Sequence, residues 1–147
     1  MRTVNQQSGF TLIELIIGIT ILLLLTVIVM NTFRTYVIRS QIMEGLEITD
    51  NIKQLINKHH KIHGDLPLSH EDLDLSVETI MTSDNVKSID IIDGSIILTF
   101  GNQSNPTISD AVITLIPKIM PKKNLSWSCG NRLETTVPQR YRPQYCR

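Results

Sequence analysis

The chain has 147 residues, 41% of them hydrophobic and 19% charged, with Lys plus Arg and Asp plus Glu equal at 14 each. That length holds one compact domain plus an extension, and a zero formal charge gives no bulk electrostatic reason to seek nucleic acid or a membrane surface as partner. The charge is nevertheless segregated: residues 40–116 carry four Lys against twelve acids, net −8, while residues 117–147 carry seven Lys and Arg against Glu134 alone, net +6.

In chain order, Met1 to Gly9 is a short polar leader whose only charged side chain is Arg2, so positive-inside logic keeps that end cytoplasmic. Phe10 to Met30 follows as an apolar run carrying one charge, Glu14. A bilayer core needs roughly 20 residues of helix, so this run is a predicted membrane span with the rest of the chain outside. An ordinary secretory signal fits poorly, because its apolar core is roughly 7–15 residues and an A-x-A-like site should follow. A plain signal anchor leaves Glu14 uncompensated, although a carboxylate in hydrocarbon costs a few kcal/mol even on lenient scales. An amine created by cleavage is the natural partner.

Beyond Met30, apolar positions Ile38, Ile42, Leu46, Ile52, Leu55 and Ile56 recur at three-to-four-residue steps among charges. The pattern predicts one helix from Phe10 to near His63, about 80 Å long at 1.5 Å per residue, with Gly64 as its stop. Residues 64–85 are expected to form a polar surface loop, in which Ser69 and Asp72 cap a short helical turn. Val86–Ile92 and Ser95–Phe100 flank Asp93-Gly94 and predict a β-hairpin. Ala111–Ile116 is a third strand ended by Pro117, and Leu125–Cys129 a fourth. Four strands with one apolar side need a cover, which the outer half of the long helix supplies. The expected class is therefore α+β, a long helix laid by its outer half on a small antiparallel sheet of about four strands.

Cys129 and Cys146 show no zinc-site spacing, so a disulfide is the better reading. It would contribute on the order of 3 kcal/mol in the chain-entropy model and implies an oxidising compartment. His59 and His63 stand four apart on one helix face, but neither a third ligand nor an H-E-x-x-H pattern accompanies them. Asp72, Asp74 and Glu78 lack the glycine and spacing of a calcium loop. No metal or other cofactor is assigned. The N-x-S triplets at Asn102 and Asn124 are too common to carry an argument. No nucleophile and base are paired for catalysis, so an enzyme or a small-ligand sensor on a single span is the weaker class of reading.

The run Gly9-Phe10-Thr11-Leu12-Ile13-Glu14 resembles the cleavage site of type IV prepilins. The resemblance implies that a prepilin peptidase cuts after Gly9, that Phe10 becomes the N-methylated first residue, and that Glu14 pairs with the amino terminus of a neighbouring copy. It also implies a division into a leader (1–9), a transmembrane or filament-core helix (10–30), an amphipathic helix (31–63) and a globular head (64–147). The head would comprise a loop (64–85), a sheet (86–129) and a disulfide-bounded loop (129–146). Arg39-Ser40-Gln41 with Phe33 and Tyr36 resembles the same family. So does the ending Trp127-Ser128-Cys129, Tyr141-Arg142-Pro143 and Cys146, which looks like the disulfide loop of type IVa pilins. The chain departs from the common pattern at Asn31, where many members have proline, and at Leu23, where many have glycine.

On this resemblance the chain is a structural subunit: an inner-membrane precursor that polymerises with other copies into an extracellular pilus for adhesion, twitching motility or DNA uptake. The assembly machinery must bring its own ATPase, because no nucleotide-binding glycine loop is present. The alternatives within the family are a minor pilin and a type II secretion pseudopilin, the latter disfavoured by the disulfide-bounded ending. Lys122, Lys123, Arg140 and Arg142 are candidates for contact with the acidic middle of the next subunit, with DNA as the rival partner.

Overall fold

A computed structural model of the chain describes residues 9–73, 83–121, 124–130 and 134–147. The chain divides into two compact units, one ending at Thr35 and the other running Tyr36–Arg147. Helix α1 spans Leu12–His63, two residues later at its start than the periodicity predicts. Gly64 ends it as expected, with a φ of 89° that suits glycine and its N–H donating to His60 O at 3.0 Å.

The second unit is a four-stranded antiparallel meander, order β1-β2-β3-β4, with the outer part of α1 on one face. Strand β1 (Val86–Ile92) and β2 (Ser95–Phe100) stand where the sequence predicts them. Between them Asp93 and Gly94 both take positive φ, 49° and 73°, the type I′ geometry whose twist matches a right-twisted hairpin. A register shift between Val86 and Ser88 makes a β-bulge. One extra residue restores the face of Val86, so that Val86, Ile89 and Ile91 are all buried despite their odd spacing.

Strand β3 overturns the expectation built on Pro117, because it runs through that residue from Val112 to Met120. β2 pairs only with Val112–Leu115, whereas β4 (Asn124–Cys129) pairs on the other side from Leu115 to Met120. Leu125 N–H turns away from β3 to donate to Asn57, and alternation gives its opposite Ile119, and hence Pro117, the same outward sense. Pro117 therefore lies past the end of β2, where the N–H it lacks has no ladder partner to lose.

Ile38, Ile42, Leu46, Ile52 and Ile56 form the buried stripe of α1, packed against Ile96, Leu98, Phe100, Ile113 and Leu115 of the sheet. Gly45 sets the distance of approach. A Cβ there would lie 2.9 Å from Phe100 Cε1 and 3.1 Å from Leu98 Cδ2, so a larger residue would push helix from sheet. In the loop after α1, Asp72 Oδ2 accepts from Ser69 N–H, one half of a capping box, while Ser69 Oγ accepts from Glu71 N–H rather than from Asp72, at the short 3-10 turn Glu71–Leu73.

Candidate assembly site

The N-terminal unit begins with Phe10, 86% exposed, and the first turn of α1 closes with Leu15 N–H donating to Thr11 O at 3.2 Å. Glu14 sits in that turn, where the helix dipole favours a carboxylate. Thr11 Oγ1 is 3.5 Å from Glu14 Oε2, the long limit of a hydrogen bond, so this contact leaves most of the carboxylate's capacity unused. Thr20 and Thr26 donate their hydroxyls back to Ile16 O and Leu22 O at 2.7 Å each. With those polar groups satisfied inside the helix, the surface from Leu12 to Met30 is almost wholly aliphatic and wholly exposed. It is long and apolar enough to cross a membrane. Chemically the arrangement offers one acid on a greasy cylinder. Apolar surroundings suit the cylinder, and a cation suits the acid.

The rest of α1 is tied to the head by polar side chains that flank its buried stripe. Arg39 Nη2 donates to Arg140 O at 2.8 Å, Gln41 Oε1 accepts from Asn105 N–H at 2.9 Å, Glu44 Oε2 accepts from Asn85 Nδ2 at 2.7 Å, and Asn57 Oδ1 accepts from Leu125 N–H at 3.2 Å. Sequence reasoning gave none of these residues a structural task. The available signal was position, since Gln41 adjoins Ile42 and Asn57 adjoins Ile56 at the edges of the apolar stripe.

Cys129 and Cys146 are bonded, with Cα atoms 5.1 Å apart. The loop they close is organised by Arg142, whose Nε donates to Val137 O at 2.6 Å and Nη2 to Thr135 O at 2.7 Å. Tyr141 is buried and Arg140 is exposed, its guanidinium 4.6 Å from the centre of the Tyr141 ring. The four cations grouped in the sequence thus do different things: Arg140 faces outward, Arg142 is half-buried on carbonyls, and Lys122 and Lys123 lie outside the described residues. Next to the disulfide, Tyr145 lines a groove with Met43, Leu46, Glu47 and Asp50, and partial burial followed by the charge of Asp50 raises its hydroxyl above 10.0.

His59 and His63 stack with ring centres 4.5 Å apart, while His60 is buried with Nδ1 3.2 Å from Asp65 O. Among the described residues no three His, Cys, Asp or Glu side chains converge. Asp74 and Glu78 lie outside those residues. Asn102 spends its amide on Val86 O at 2.9 Å and Ser83 O at 3.3 Å.

Comparison with known proteins places this arrangement. The Pilin family, described as a bacterial filament family, matches residues 38–147, and the prokaryotic N-terminal methylation motif matches residues 4–30. The chain is similar to the fimbrial protein of Neisseria meningitidis serogroup A / serotype 4A, 26% identical over 125 residues that cover 84% of this chain and 73% of that protein. It is 25% identical to the type IV major pilin protein PilE of Neisseria gonorrhoeae, over 84% of this chain and 74% of that one. The fimbrial protein of Pseudomonas aeruginosa is 24% identical, over 96% and 94% respectively. With a buried helix stripe on a meander sheet, a disulfide-closed ending and an aliphatic, acid-bearing helix start, the chain belongs to the type IV pilin family of bacterial filament proteins.

Proposed function

We propose that this pilin is made as a membrane-inserted precursor, cut after Gly9 by a prepilin peptidase and methylated on the new terminus, Phe10. The processed chain then polymerises with other copies into an extracellular pilus. Assembly is driven by membrane machinery with a separate ATPase. The reading is supported by one observation above the others: an exposed aliphatic helix carrying a lone carboxylate, Glu14, beside Phe10.

The physics of assembly follows from that surface. In the bilayer the helix is already among apolar chains, so moving it against other helices yields little net hydrophobic gain. Van der Waals packing and the pairing of Glu14 with the Phe10 amine of a neighbouring copy are left to fix register. Opposite charges roughly 4 Å apart in a poorly screened medium attract far more strongly than in water, and each offsets the other's desolvation. Adhesion, twitching and DNA uptake are the roles such a filament could serve. On the head, Lys122, Lys123, Arg140 and Arg142 are proposed contacts to the acidic middle of the next subunit.

Intact mass of the surface-exposed form tests processing in one measurement, since it reads loss of residues 1–9 and gain of a methyl group. Assembly is tested with Glu14→Ala. We expect that variant to be inserted and processed like the parent but to give less than about a tenth of its sheared filament, the loss of an interaction worth at least about 1.4 kcal/mol. Filaments as abundant as the parent's would end the charge-pairing account.

A further inference from the structure

The disulfide loop returns to the helix at Arg39, whose guanidinium holds the carbonyl of Arg140 at 2.8 Å. That contact brings two cations to one place. Among the described residues the ion pairs are Lys53–Asp50 and Lys87–Asp110, so neither Arg39 nor Arg140 has a carboxylate partner. Both are exposed, and the Arg140 guanidinium lies over the ring of Tyr141. Tyr36, 68% exposed, stands three residues before Arg39 on the same helix and hence on a neighbouring surface position.

The place of this cluster in the chain gives it a partner. Tyr36 and Arg39 follow Met30, the last residue of the apolar run, by six and nine residues. A tyrosine and an arginine shortly after a membrane span, joined by a second arginine that also lacks a carboxylate partner, have the composition of a headgroup layer: an amphipathic ring and donors for phosphate oxygens. We propose that Tyr36, Arg39 and Arg140 dock the head of the membrane-held pilin onto anionic phospholipid headgroups before assembly. This inference rests on residues 10–30 spanning the bilayer. The docked arginines keep the C-terminal loop against the lipid, and leaving the bilayer for the filament frees them. A nucleic-acid role fits the cluster less well, because duplex binders commonly neutralise roughly six to ten phosphates and two guanidinium groups are a small fraction of that.

The test uses the full chain reconstituted in vesicles of phosphatidylcholine, alone or mixed with phosphatidylglycerol, and follows amide hydrogen exchange by mass spectrometry. Residues 138–147 should exchange at least about threefold more slowly in the anionic mixture, an effect lost at high salt. Arg140→Glu should abolish the difference and Arg140→Lys should keep most of it; both leave the carbonyl that Arg39 holds. Equal exchange in the two mixtures, with residues 10–30 protected in both, would refute headgroup docking while leaving the membrane span intact. Unprotected residues 10–30 in both mixtures would refute the span and the docking together. Slowing by added duplex DNA with no effect of lipid charge would make the cluster a nucleic-acid site and overturn the proposal.

Discussion

The two units of this pilin solve the same problem in opposite ways. Ile21 and Ile42 belong to one helix, yet Ile21 is 53% exposed and Ile42 is 0%. In the unit Tyr36–Arg147 the sheet covers the apolar stripe, and polar flanking residues fasten its edges. In the unit ending at Thr35, aliphatic side chains point in all directions around the helix, and its described residues supply no sheet. One unit is stabilised from within, and the other needs an apolar environment from outside, which is the physical content of being a subunit rather than a finished domain.

The comparison is broken most severely by large-to-small substitution. Phe100→Ala should cost about 3–5 kcal/mol of head stability, because Phe100 is fully buried beneath α1. Leu23→Ala should leave thermal unfolding of the head unchanged in detergent, since Leu23 is 67% exposed. Circular dichroism on the full chain in micelles reads both. Equal losses would mean that the two units unfold as one.

Glycine gives a sharper version of the same contrast. Gly45→Val should cost about 1–3 kcal/mol, because the new methyls meet Phe100, Leu98 and Val86 in a close-packed interior. Gly18→Val meets nothing within 4 Å and should not move the head's transition. A neutral Gly45→Val would show that the helix can lift from the sheet without loss.

Smaller again is Gln41→Ala, which strips the acceptor from the half-buried Asn105 N–H and should cost about 1 kcal/mol. Faster hydrogen exchange at Asn105 and its neighbours should accompany it. Unchanged exchange there would mean that the loop is held by other contacts.

How much of this was legible follows from which forces are local. The hairpin was readable because Asp93-Gly94 encodes its own turn, and the helix end because Gly64 does the same. Glu14 stood out because a single acid in an aliphatic run is an oddity of sequence alone, and the structure places it in the first turn of an exposed helix. Pro117 misled because a proline's effect depends on whether its side of the strand is paired, and that is fixed by where β2 ends. The roles of Arg39, Gln41 and Asn57 were not legible because a polar residue beside an apolar stripe looks the same whether it meets water or backbone 64 to 101 residues away. The carbonyl contacts of Arg142 were hidden in the same way, within a basic tail that reads as a charge run.

The finest prediction concerns Tyr145, which belongs to the head but lies in an outward-facing groove. Burial and then Asp50 raise its hydroxyl above 10.0, so the folded chain holds that proton to higher pH than the unfolded chain does. Above pH 10 the native state therefore binds more protons than the unfolded one, and stability should fall as pH rises through that window. Absorbance of the ionised phenol should show a late-titrating component that Tyr145→Phe removes. Asp50→Asn should bring it only part of the way back, because burial is the larger cause and outlasts the loss of the charge. A complete return would instead make the carboxylate the dominant influence and mark the groove as open to water.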